Sequence, residues 1–329
     1  MTTDTPTPSP TLNDEATPKL STLDRLLPVW IGSAMVGGIL LGRLIPDLND
    51  TLDKVKVDTV SLPIAIGLLA MMYPVLAKVR YRGISAELGD RRTMGLSLVL
   101  NWVVGPALMF TLAWVFLGDL PELRTGLIIV GLARCIAMVL IWNDLACGNS
   151  ELGAVLVAVN SVFQIVMYTV LGWFYLDLLP GWLGLETQSL DVGMWPIAKS
   201  VLIFLGIPLV AGFLTRTILE ARKGTDWYEH SFLPRIGPIA LYGLLFTIVV
   251  LFSLQGDQIL DRPLDVARVA VPLLIYFTLM WFGSFGAGYR LGLPYDRNTS
   301  VAFTAAGNNF ELGIAVAIAV FGVTSGQAL

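Results

Sequence analysis

Two stretches of the chain carry chemically active groups on runs apolar enough to lie inside a bilayer. In GLARCIAMVLIW, residues 131–142, Arg134 and Cys135 stand side by side; in AGNNFELGIAVAI, 306–318, the polar set is Asn308, Asn309 and Glu311. A thiolate is a soft ligand that selects thiophilic species over hard ions, and a neighbouring guanidinium favours that form. Burial and a nearby cation act in opposite senses on a carboxyl, so a group placed between them can exchange protons near neutrality. Charges at this depth are costly unless paired or wetted, which gives them a functional reading by default. Each residue also has a plainer reading. Cys135 can be a small apolar packing residue, and Glu311 can form a structural ion pair with Arg134.

The remaining polar groups on apolar runs are Asn101, Asn143, Asn160, Gln164 and Tyr168. Buried amides commonly bond helix to helix; Asn101 and Asn160 are the better candidates for contact with a substrate. Trp142, Asn143 and Trp114 are candidates for lining a pathway, although tryptophans also anchor helix ends at the interface. The lone histidine, His230, falls in a loop and Cys147 beside a polar GNSE run, and neither is assigned chemistry. The sequence holds no cluster of histidines and cysteines suited to a metal, no phosphate-binding glycine loop and no Ser-His-Asp set. ATP-driven transport by this chain and enzymatic function are thereby disfavoured.

These groups need helices to hold them. Of 329 residues, 55% are hydrophobic and 14% charged, with a mean hydropathy of +0.72; soluble chains keep roughly a quarter charged. Apolar stretches of about twenty residues recur along the whole length, the signature of helical membrane spans. The fold expected is an all-α polytopic membrane protein. Residues 1–25, rich in Thr, Pro, Ser and acids, read as a disordered cytoplasmic tail. The two cysteines lie twelve residues apart, about 18 Å along a straight helix, and cannot pair.

Hydropathy divides the chain into nine spans, near 27–46, 60–79, 93–117, 123–147, 150–178, 194–219, 233–256, 263–289 and 299–323. With the amino terminus inside, thirteen of the 21 Lys and Arg residues fall in inner segments and six in outer ones, leaving Arg134 and Lys199 within spans. That asymmetry predicts a cytoplasmic amino terminus in the plasma membrane.

Internal repeats follow in order. PIAIGLL at 63–69 matches PIALYGLL at 238–245, FTLAW at 110–114 matches FTLMW at 277–281, GGILLGR ending at Arg43 matches AGFLTRT around Arg216, and GLARC at 131–135 matches GNNFE at 307–311. The chain reads as two five-helix units, 26–178 and 194–329, of inverted topology because five is odd. The second unit stops after its fourth helix, so a tenth helix is expected in a longer parent reading frame. Gly131 and Gly307 precede the polar sets and predict broken helices in spans 4 and 9, with Cys135 and Glu311 at equivalent places near the midplane.

RCIAMVLIWNDLA at 134–146, VAVNSVFQIVMY at 157–168 and AFTAAGNNFELGIAVAIAVFG at 302–322 closely resemble the arsenical-resistance (Acr-type) arsenite efflux permeases of the bile acid/arsenite/riboflavin transporter superfamily. The resemblance runs from about residue 26 to the end. It implies a ten-helix inverted-repeat permease that exports arsenite, and in some members antimonite, in exchange for protons. It further implies that Cys135 is the essential membrane cysteine, with Arg134 before it. Asn309 and Glu311 are then the polar pair of the ninth helix, and Asn101 and Asn160 the polar positions of helices three and five. The reading expects arsenite to contact Cys135, with Asn309, Asn160, Asn308 and Asn101 as the polar side of the site, and Glu311 with Arg134 in proton coupling. Arsenite, protons and the lipid bilayer are the expected partners, with no cofactor and no nucleic acid. A sodium-coupled organic-anion symporter on the same fold is the alternative, and it would have no need of Cys135.

Overall fold

The computed structural model describes residues 26–45, 56–57, 60–79, 89–136, 138–185, 194–322 and 325–328. The expected amino-terminal tail lies outside these residues, as do Arg80 and Arg82 of the inner loop and residues 186–193 of the outer one.

Among the described residues the protein is helical apart from a pair of short antiparallel strands, β1 (Lys56–Val57) and β2 (Val60–Ser61), which hydropathy does not foresee. In chain order the helices are α1 (Leu27–Leu44), α2 (Leu62–Ala77), α3 (Arg91–Phe116), α4 (Pro121–Leu132), α5 (Met138–Leu145), α6 (Ser150–Trp182), α7 (Trp195–Lys223), α8 (Leu233–Asp261), α9 (Pro263–Arg290), α10 (Tyr295–Ala306) and α11 (Phe310–Phe321). Six of the continuous helices are long and apolar enough to cross a membrane, and α2 is a shorter apolar one. With the pairs α4–α5 and α10–α11 each taken as one broken crossing, nine crossings run through the described residues, at the places hydropathy assigns. This is a multi-pass membrane protein.

Helix starts follow local chemistry. The Asp90 carboxylate accepts from the Thr93 amide at 3.2 Å and its hydroxyl at 2.6 Å, opening α3. Those bonds, with Arg297 close by, hold Asp90 below the usual carboxylate range. Asn149 opens α6 in the same way by accepting from the Leu152 amide, and both are standard N-caps. Four helical stretches contain a wide i→i+5 turn, at Leu100–Val104, Phe174–Leu178, Leu202–Gly206 and, leading into α8, Tyr228–Phe232. Such turns carry no simple residue signature, and they cluster at functional places.

The helices sort into two groups by packing. Helices α1 and α2 pack on α8, and the second half of α7 packs on α2; α3, α4, α5, α6, α9, α10 and α11 pack on one another. Helix α7 belongs to both, its first half against α6 and α11 and its second half against α2, and its wide turn lies where it passes between them. Without a hydrophobic drive in lipid, close backbone approach has to supply the attraction. At Gly243 of α8, an added Cβ would lie 2.7 Å from the Met71 amide nitrogen and 2.9 Å from the Gly67 oxygen of α2.

Gly243→Ala is therefore expected to lower stability by about 1–3 kcal/mol, the usual cost of overpacking. Gly32→Ala, where an added Cβ meets nothing within 4 Å, should cost nothing. Melting of the two purified variants in detergent checks this; equal melting temperatures would contradict the α2–α8 packing.

Candidate functional site

Helix α4 ends because Ala133 is extended (φ −79°, ψ 115°), and α10 ends because Gly307 is extended too (φ −75°, ψ 134°). The two extended segments run antiparallel, with Arg134 opposite Asn308. The Cys135 amide donates to the Gly307 carbonyl at 3.1 Å, and the Asn309 amide donates to the Ala133 carbonyl at 3.0 Å. Main-chain groups freed by the two breaks thus bond each other, as apolar surroundings demand. The approach is close enough that a Cβ at Gly307 would lie 2.8 Å from that of Cys135. Gly131, which the sequence places at the break, stays inside α4; the break comes at Ala133.

Four half-helices meet at this crossing. The carboxyl ends of α4 and α10 bring partial negative charge, and the amino ends of α5 and α11 partial positive charge. Glu311 sits in the first turn of α11, which Asn309 caps by accepting from the Leu312 amide at 3.0 Å. Asn308 donates through Nδ2 to the Val130 carbonyl at 2.9 Å, and its buried Oδ1 has no hydrogen-bond partner among the described residues.

Arg134 is 0% exposed. Its guanidinium donates through Nη1 to the Tyr276 hydroxyl at 2.9 Å and through Nη2 to the Gly131 carbonyl at the end of α4. Its amide donates to Gln164 Oε1 at 2.7 Å. No ion pair joins Arg134 to Glu311 among the described residues, so the pair that the sequence offers as an alternative does not form. The guanidinium points to the carbonyl end of α4 and to a phenol on α9, while Glu311 belongs to the cavity.

That cavity, of about 770 Å³, lies between the two helix groups. Cys135, Asn308, Asn309 and Glu311 line it at the crossing, and Lys78, Gly237 and Asp144 line it near the ends of α2, α8 and α5. Between them stand Met71 and Met72 of α2, and an aromatic wall of Phe277, Trp281, Phe282 and Phe303. Both cysteines are thiols, Cys135 buried and Cys147 exposed.

The other sequence candidates divide. Trp142 lines the cavity. Asn143 is buried off its lining, and both of its amide atoms lack a partner among the described residues. Trp114 is also off the lining, with the Arg124 guanidinium 3.7 Å from its ring centroid. Asn101 and Asn160 are spent on each other. Asn160 Nδ2 donates to Asn101 Oδ1 at 3.3 Å, Trp102 donates to Asn160 Oδ1, and Asn101 Nδ2 donates to the Ser97 carbonyl. They form a strut between α3 and α6 and are not among the residues that line the cavity. Sequence reasoning misses Tyr276 and the aromatic wall, because tyrosine and phenylalanine on apolar helices carry no distinguishing signal. Gln164, visible as a buried amide, proves to hold the crossing.

Residues 65–262 match the profile of the Sodium Bile acid symporter family. The arsenical-resistance protein Acr3 of Corynebacterium glutamicum is 59% identical over 311 residues, covering 94% of this chain and 84% of that protein. The arsenical-resistance protein Acr3 of Alkaliphilus metalliredigens is 31% identical, covering 93% of this chain and 86% of that protein. An uncharacterized transporter of Synechocystis sp. is 36% identical, covering 94% and 84%.

Tyr276→Phe removes one acceptor from a buried guanidinium and should destabilise the protein by about 1–3 kcal/mol. Thermal melting in detergent measures it, and an unchanged melting temperature would mean that the phenol does not hold Arg134.

Proposed function

Because the chain belongs to the Sodium Bile acid symporter family, within its Acr3-type arsenical-resistance members, we propose that this transporter exports arsenite from the cytoplasm across the plasma membrane in exchange for protons. The observation that carries the reading is the end of the cavity at the crossing, which Cys135, Asn308, Asn309 and Glu311 line together. Arsenous acid is uncharged at neutral pH and needs no counter-ion. Exchange of one As–OH for one As–S bond to Cys135 releases water and leaves two hydroxyls. These face the polar end of the cavity, where Asn308 and Asn309 supply the neighbouring amides. Three thiolates would trap the metalloid; a single thiol lets it go.

Glu311 takes up a proton from outside as arsenite leaves, and Arg134 keeps the crossing in place while the carboxyl changes charge. The two helix groups rock against each other about the crossing, and α7 spans the moving boundary through its wide turn. With the amino terminus cytoplasmic, the cavity ends at Lys78, Gly237 and Asp144 face the cytoplasm, so this is the loading conformation. The paired breaks support two inverted units, 26–178 and 194–329, as the architecture that alternates access. Antimonite, of like softness, is a second cargo of the same site.

The alternative, a sodium-coupled organic-anion carrier, fits less well. It gives no role to the Cys135 thiol, which lines the cavity at the crossing.

Arsenite uptake into everted vesicles tests the proposal. Cys135→Ser should reduce uptake at least tenfold, about 1.4 kcal/mol or more of lost stabilisation; unchanged uptake removes the thiol from the mechanism. Glu311→Gln should leave arsenite binding but abolish the response to an imposed pH gradient. Exchange of sodium for potassium should leave the flux as it was.

A further inference from the structure

The cavity is far larger than arsenous acid needs, and most of its wall is of the wrong chemistry for three hydroxyls. About 770 Å³ is the space of roughly 25 liquid waters. Away from Cys135 the wall is aromatic and built to hold its shape. Trp281 stacks on Phe285 with ring centroids 5.2 Å apart and meets Phe303 edge-on at 5.8 Å, and Phe277 meets Phe310 at 6.0 Å. Across from it stand the thioethers of Met71 and Met72, side chains that adapt to irregular apolar shapes. Such a wall adds nothing to the binding of a hydroxyl and rewards the burial of an apolar group.

We propose that the same site takes trivalent organoarsenicals of the form R–As(OH)₂, in which R is a single aryl or alkyl group. This rests on the reading of the cavity as an arsenic(III) site and names a second substrate class for it. The Cys135 sulfur attacks arsenic, an As–S bond forms as one As–O bond breaks, and the thiol proton leaves with the hydroxide as water. Arsenic stays trivalent, so no reductant or oxidant is required. The remaining hydroxyl stays at the polar end of the cavity, which Asn308, Asn309 and Glu311 line, and R lies against Trp281 and Phe277. A doubly substituted arsenical would keep no hydroxyl after the exchange. A pentavalent arsonic acid cannot make the exchange without being reduced first.

The probes are arsenite, methylarsonous acid, phenylarsonous acid and phenylarsonic acid, offered to everted vesicles carrying the full chain with Cys147→Ala as background. Vesicle arsenic is measured directly. The expected result is accumulation of phenylarsonous acid, competition with arsenite that strengthens from methyl to phenyl, and none from the pentavalent acid. Trp281→Ala should weaken phenyl competition relative to arsenite by roughly three- to tenfold, the size of one lost aromatic contact. Arsenite uptake by that variant reports whether it folds; where uptake is lost, the methyl-to-phenyl comparison on the unaltered wall decides alone. Arsenite transport with no phenyl accumulation or competition overturns the inference, as does phenyl competing no better than methyl. Absence of arsenite uptake in vesicles that do accumulate phenylarsonous acid overturns the arsenite reading and leaves the organic one standing.

Discussion

A guanidinium removed from solvent must find hydrogen-bond acceptors, because an ion left unsatisfied in the interior costs several kcal/mol. Arg134 meets most of that demand, through Nη1 and Nη2, with the Tyr276 hydroxyl of α9 and the carbonyl that α4 exposes at its end, its Nε having no hydrogen-bond partner among the described residues. Both acceptors exist there only if α4 stops at Leu132 and α9 lies alongside. The amide of the same residue is held by Gln164 of α6, and the residue itself pairs with Asn308 at the end of α10. One residue, through its side chain and its main chain together, thus ties four helices at one point. The place of Cys135, next in sequence, follows from that convergence.

The convergence also sets the chemistry. Broken helices bring main-chain dipole ends to one point in the membrane interior, and the cavity reaches that point from one side, between the two helix groups. Cys135, Asn308 and Glu311 line its end there. In the proposed mechanism each alone is a weak holder of cargo, and weakness serves a transporter, whose site must release what it binds.

Much of this was legible in the sequence, and the reasons are physical. Long apolar runs have few alternatives to spanning a bilayer, so all nine crossings stand close to where hydropathy puts them. The polar groups on spans four and nine were conspicuous because burial makes them costly, and the antiparallel contact of the two breaks agrees with that reading. What stayed hidden depends on partners distant in the chain. Nothing local distinguishes Tyr276 from any other span tyrosine, since its role comes from an arginine 142 residues away. Asn101 and Asn160 illustrate the converse: a buried amide advertises that it needs a partner and is silent on whether that partner is cargo or another amide. The wide turns in α3, α6 and α7 are set by packing, which single-residue preferences do not encode.

The crossing itself is fastened by amide-to-carbonyl bonds between Cys135 and Gly307 and between Asn309 and Ala133. Such bonds are blind to the side chains they carry. The fold therefore supplies a socket whose geometry survives when the fittings change. Residues facing the cavity can be exchanged for other ligands without first having to rebuild the backbone that presents them. A family whose profile bears the name of a bile acid symporter and whose members include arsenical-resistance proteins is what such a socket would produce: one frame, refitted for cargoes that share almost no chemistry.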